Sequence, residues 1–155
     1  MIELPRDVYD AVVDHAREGA PEEVCGVFGG DCGEGRTRVG SRHRATNAAD
    51  TPQTEYHIDP VEQLELMDTV ESAGREVAGF YHSHPAGPPR PSATDVAQAT
   101  WPGLSYLIVV LDGRHPYVGS WRWNDDAGEF SQEVLRVQRN SRWSPRPHRA
   151  SEASE

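Results

Sequence analysis

An α/β domain, with one mixed sheet flanked by helices, is the fold that this chain of 155 residues predicts. Three observations point to it. Short apolar stretches of strand character are interleaved with three segments of helical periodicity. Several of the strand stretches follow one another across Gly- and Asp-rich turns, as hairpin partners do. The length suits one domain with a real core, and no internal repeat is present.

Taken in order, residues 4–19, LPRDVYDAVVDHAREG, place Val8, Val12, Val13 and Ala16 on one helical face, with Pro5 near the start and Gly19 past the end. Residues 23–30, EVCGVFGG, read as a buried strand, DCGEG as a glycine-rich turn, and RTRVGSRHR as the hairpin partner. After the loop ATNAADTPQ comes a short strand, EYHI. Asp59 then stands as an N-cap before Pro60 and a helix over 60–74, in which Val61, Leu64, Met67 and Val70 keep helical spacing. Residues 76–84, EVAGFYHSH, form the next strand and SATDVAQATW the third helix. Residues 104–111, 117–123 and 129–137 are three closing strands joined by DGRHP and DDAG. The domain is set at residues 1–139. The polar Pro/Ser/Arg-rich tail, 140–155, is expected to be disordered beyond about Trp143.

Composition excludes some functions. A formal charge of −10 argues against a duplex DNA binder, which needs a basic face. No apolar run approaches the roughly 20 residues of a membrane span, and MIELPRD has no signal-peptide core, so the expectation is a cytoplasmic protein. Cys25 and Cys32 are too few for a disulfide framework or a four-thiolate site, so any metal must be held mainly by His and carboxylate. All fifteen basic residues are Arg, against 25 Asp and Glu. That balance suggests a salt-adapted cytoplasm, with a GC-rich genome as the alternative.

The stretch GFYHSHPAGPPRPSATD carries the chemistry. On a strand His82 and His84 share a face about 7 Å apart along the backbone and can converge on one ion. Asp95 lies one turn into the following helix and supplies a third ligand if that helix folds back over the strand end. Two neutral imidazoles, one carboxylate and a fourth position for water make the pattern of a catalytic zinc site. An HxH pair alone is more often surface decoration; the Pro-Ser-x-x-Asp closure is what shifts the balance.

These residues resemble the H-x-H-P…P-S-x-x-D signature of the JAMM (MPN+) zinc metallopeptidases, at the family's spacing from first histidine to aspartate. The family's catalytic glutamate precedes a glycine by three residues on an early strand, and EEVCG puts Glu23 there. The resemblance covers residues 1–137 and implies the JAB1/MPN fold, related to the cytidine deaminases, with Zn2+ held by His82, His84 and Asp95. Zinc would lower the pKa of a water it holds from 15.7 to roughly 7. Glu23 would take that water's proton and pass it to the leaving amine. Ser92 would help hold the oxyanion, although it also opens S-x-x-D and could act as a helix cap. Glu22 competes for the role of base but would face the opposite side of a strand. Cys25 reads as a small buried hydrophobe, and Cys32 as an exposed bystander in a turn. His43, His57 and His115 read as surface or edge residues, with His57 the one to check for lining the cleft.

The function implied is cleavage after the C-terminal Gly-Gly of a ubiquitin-like modifier, releasing it from protein conjugates. Salt adaptation points to small archaeal modifiers. The alternative within the class is a peptidase that trims cysteine or short adducts from a ubiquitin-like sulfur carrier. A short loop, TWPGL, leaves no room for the insertion with which some relatives grip a second ubiquitin. Outside the class stand a metal-free MPN-type binding scaffold, which would have lost ligands that are all present here, and a DNA-repair-associated group resembling RadC, which the acidic charge disfavours. Cytidine-deaminase chemistry needs H-x-E with P-C-x-x-C, and neither occurs.

Overall fold

In the computed structural model, which describes residues 1–111 and 113–139, the elements follow as β1 (Ile2–Pro5), α1 (Arg6–Gly19), β2 (Cys25–Gly33), β3 (Arg36–Ala45), α2 (Pro60–Ser72), β4 (Glu76–His84), α3 (Ala93–Gln98), β5 (Ser105–Val110), β6 (Tyr117–Asn124), β7 (Glu129–Glu133) and β8 (Leu135–Gln138). The tail expected to be disordered lies outside the described residues. No described helix is long and apolar enough to cross a membrane.

The strands make one mixed sheet in the order β7-β6-β5-β4-β2-β3-β1-β8. The β2–β3, β2–β4, β5–β6 and β6–β7 pairs are antiparallel, while β4–β5, β1–β3 and β1–β8 are parallel. The predicted α/β class with a mixed sheet is what the chain adopts.

Three elements depart from the sequence reading. Ile2–Pro5 is a fully buried strand and the helix begins at Arg6, because parallel pairing with both β3 and β8 outweighs the weak helical signal of its few residues. Residues 55–58 belong to no strand of the described sheet. Residues 129–137 break at Val134 into β7 and β8, which occupy opposite edges. The sheet therefore curls until its edges meet at that residue, where Val134 O accepts from Ile2 N at 2.9 Å. Arg122 Nη2, which donates to Met1 O at 3.2 Å and Thr37 Oγ1 at 3.0 Å, and Thr37 Oγ1, 2.8 Å from Ser105 Oγ, brace the closure.

Each face of the sheet carries a core. Val8, Val12, Val13 and Ala16 of α1 pack, as their spacing predicts, on Leu4, Phe28, Val39, Tyr81 and Leu107. The opposite face gathers Cys25, Val27, Ile58, Val70, Phe80, Tyr106 and Trp123 beneath α2. Asp59 caps α2, its Oδ2 accepting from Val61 N at 3.0 Å and Glu62 N at 3.3 Å. Of the apolar stripe on α2 only Val70 is fully buried, and Val61 and Leu64 remain 64% and 67% exposed. An irregularity in the β2–β4 ladder at Phe28/Gly29 leaves one extra residue on β4, so that Phe80, His82 and His84 all point to the α2 face.

Candidate active site

The site forms at the C-terminal end of β4, whose parallel neighbour is β5, the usual place for a crevice in an open α/β sheet. The strand period of two puts His82 and His84 on one face, both almost fully buried, with Nε2 atoms 3.1 Å apart. Ser92 begins α3 with a capping box: its Oγ accepts from Asp95 N at 3.0 Å, and Asp95 Oδ2 accepts from Ser92 N at 2.8 Å. This turn aims the Asp95 carboxylate at the histidines, with Oδ2 3.0 Å from His84 Nε2 and Oδ1 3.2 Å from His82 Nε2. A tetrahedral zinc with ligand bonds near 2.05 Å would hold its ligand atoms roughly 3.3 Å apart, so the three groups fit a zinc ion.

The tautomers agree with that fit. His84 Nδ1 donates to the Pro88 carbonyl at 2.9 Å, which leaves the Nε2 lone pair for an ion. Burial lowers the pKa of His82 in spite of Asp95. Burial acts on His84 in the same sense, but its bonds to Asp95 and Pro88 prevail and raise it. Burial would raise Asp95; hydrogen bonds from His82 and His84 prevail and hold it far below the usual carboxylate range.

Glu23 lies just before β2 rather than on it, and is buried while Glu22 is exposed. Its carboxylate offers an atom to a set with His82 and His84 whose ligand-type atoms all lie within 4.8 Å of one another. Among the described residues Glu23 Oε1 has no hydrogen-bond partner, and burial lifts the acid to about 7, with His84 opposing and Asp95 adding. Ser83, between the histidines on the opposite face, accepts from Val24 N at 2.9 Å, while Ser83 N donates to Val24 O at 3.1 Å. The residue after Glu23 is thus bonded directly to the residue between the two histidines.

Beside the site runs a cleft of about 610 Å³, lined by Tyr56, Ile58, Leu64, Phe80, Trp101 and Tyr106 among others. His57 lies on its rim. Cys25, paired in register with His82, is fully buried, and burial pushes its thiol up to about 12. Cys32 is half-buried on β2 rather than exposed in a turn, its Sγ 3.6 Å from the Ala78 carbonyl. His43 is half-buried against Ser41 Oγ at 2.9 Å, and His115 is exposed. The sequence reading passed over His15, buried with Nδ1 2.7 Å from Tyr81 Oη, and also Tyr56 and Asn47, which stand in no recognisable motif.

A helix-flanked mixed sheet with this cluster at one strand end defines a JAB-type domain. The profile of prokaryotic homologs of the JAB domain matches residues 5–124, and the chain belongs to that family. It is 46% identical to a desampylase of Haloferax volcanii over 88% of this chain and 96% of that protein. It is 37% identical to a CysO-cysteine peptidase of Mycobacterium bovis over 84% and 87% of the two chains. The solution structure of a protein from Desulfitobacterium hafniense superposes with a TM-score of 0.80 at 32% identity, covering 90% of this chain and 94% of that one.

Proposed function

We propose that residues 1–139 form a zinc-dependent isopeptidase that cleaves after the C-terminal Gly-Gly of ubiquitin-like modifiers and releases them from conjugates, in the cytoplasm of a salt-adapted, archaeal-type cell. The convergence of His82, His84 and Asp95 beside a buried Glu23 Oε1 that has no hydrogen-bond partner among the described residues carries the reading. Similarity to the desampylase along nearly the whole chain supports the substrate class.

His82, His84 and Asp95 would hold the zinc, which supplies Lewis acidity to a water and to the scissile carbonyl. Glu23, with a raised pKa and no competing hydrogen bond at Oε1 among the described residues, takes a proton from the attacking water and returns it to the departing amine. Ser92 acts both as cap and as donor: its oxygen accepts from Asp95 N, and the hydroxyl proton stays available to the oxyanion. A Gly-Gly tail suits a buried reaction centre because it brings no side chains and adopts any φ/ψ.

Similarity to the CysO-cysteine peptidase favours a second reading, trimming of cysteine from a sulfur-carrier tail. Intact-mass analysis of parallel digests of a modifier–lysine isopeptide and a modifier–cysteine adduct, at low and molar salt, separates the two. Preference for the isopeptide that survives molar salt is the expected result. Exclusive release of cysteine favours the second reading. Degradation of unstructured proteins lacking Gly-Gly, with neither adduct cut, overturns both.

A further inference from the structure

Histidines that bind a metal through one ring nitrogen ordinarily donate the other to a carbonyl or carboxylate, and that bond sets the ring's orientation. His84 has such a bond to Pro88. His82 does not: its Nδ1 is buried without a partner among the described residues. Besides His84 and Asp95 at its Nε2 end, the His82 ring carries Tyr56, stacked on it with centroids 4.4 Å apart and planes 27° apart.

Tyr56 comes from the connection between β3 and α2, which pairs with no described strand and needs another anchor. The Asn47 side chain is that anchor. Its Nδ2 donates to Glu55 O at 3.0 Å and its Oδ1 accepts from His57 N at 3.1 Å, so it grips both neighbours of Tyr56. The same Nδ2 donates to Glu23 O at 2.9 Å, and Glu23 N donates to Pro52 O at 2.7 Å. Ala48 N donates to His57 O at 2.8 Å and completes the fastening. One half-buried amide group thus joins the main chain of Glu23 to the segment that lies on His82.

We propose that Tyr56 and Asn47 are positioning residues of this site, Tyr56 by holding the His82 ring at the angle a metal requires, and Asn47 by fixing Tyr56 and Glu23 relative to each other. The inference rests on the reading of the site as a zinc centre. Asp95 and His84 meet the His82 ring at Nε2, the atom a metal would take, so with Nδ1 unpartnered among the described residues it is the stack that fixes the tilt of the ring plane. Removing the stacked plane frees that tilt, whereas removal of the Tyr56 hydroxyl leaves the stack in place. Loss of a group that orients a metal ligand typically weakens metal binding about 10–100-fold.

The test uses the full chain, stripped of metal and titrated with zinc against a chromophoric chelator, with urea unfolding and steady-state turnover of a modifier–lysine isopeptide alongside. Tyr56→Leu, which keeps apolar bulk and the fold, should bind zinc about 10-fold more weakly or worse, and Tyr56→Phe should stay within about twofold of wild type. Asn47→Ala should weaken zinc binding in the same sense as Tyr56→Leu and lower kcat about tenfold or more, because it loosens the base and the His82 support together. A folded Tyr56→Leu with wild-type zinc affinity overturns the proposal, as does a Phe variant as impaired as Leu. A wild-type chain that takes up no zinc defeats the zinc-centre reading itself. Wild-type uptake with unaffected variants defeats only the positioning role.

Discussion

Replacing Glu23 by Gln should make the metal-free protein more stable at alkaline pH while nearly abolishing turnover. Burial raises this acid from 4.5 to about 7. As pH rises from 4.5, the unfolded chain releases its proton first and the folded chain keeps it, so Glu23's contribution to stability is full below 4.5 and is lost as pH passes 7. Two and a half pH units correspond to at most about 3 kcal/mol, and screening by solvent that reaches the carboxylate reduces this to about 1–2 kcal/mol. Gln has nearly the same shape and never ionises. Urea unfolding of the chelator-treated proteins should therefore show little difference at pH 5 and a gap of about 1–2 kcal/mol in favour of Gln at pH 8. The zinc-loaded variant should keep its metal and lose roughly 100-fold or more in kcat. A stability gap equal at both pH values would refute the account of burial, and loss of zinc would make Glu23 a ligand.

His82→Ala and His84→Ala should each lose bound zinc by elemental analysis together with turnover, and a variant that keeps both moves the site elsewhere. Glu22→Gln, at an exposed position, should leave kcat and zinc content near wild type. Ser83→Ala strips Val24 N of its buried acceptor and should cost about 1–3 kcal/mol in urea unfolding. Burial, with help from Arg44 and Arg42, depresses His15 from 6.5 to about 4. The unfolded chain therefore takes up this proton first as pH falls, and wild type should lose about 1–2 kcal/mol between pH 6.5 and 4, a slope that His15→Gln should flatten.

The candidate site could be read from the sequence because its parts are local. His82 and His84 share a strand face by period alone, and S-x-x-D is both a capping box and the device that aims Asp95. Glu23 was legible only through resemblance, since it precedes its strand and reaches the histidines through the β2–β4 register. The support around it was not legible: the stack of Tyr56 on His82 and the bonds of Asn47 join segments with no shared periodicity. The fold showed the same division. Amphipathic α1 and capped α2 followed from spacing, whereas the burial of Ile2–Pro5 and the break at Val134 depend on which distant strand each piece pairs with.

The break at Val134 also has a meaning in time. β8 pairs with β1 through Ile2 and Leu135, so this edge strand can be added only after nearly the whole described chain has left the ribosome. Closing a loop of that span costs about 4 kcal/mol of chain entropy, which the earlier hairpins must be in place to offset. The stretch from His82 to Asp95 carries no such delay. A nascent chain therefore displays His82, His84 and Asp95 while the sheet around them is still open, and on the proposed zinc reading metal capture can precede the completion of the domain.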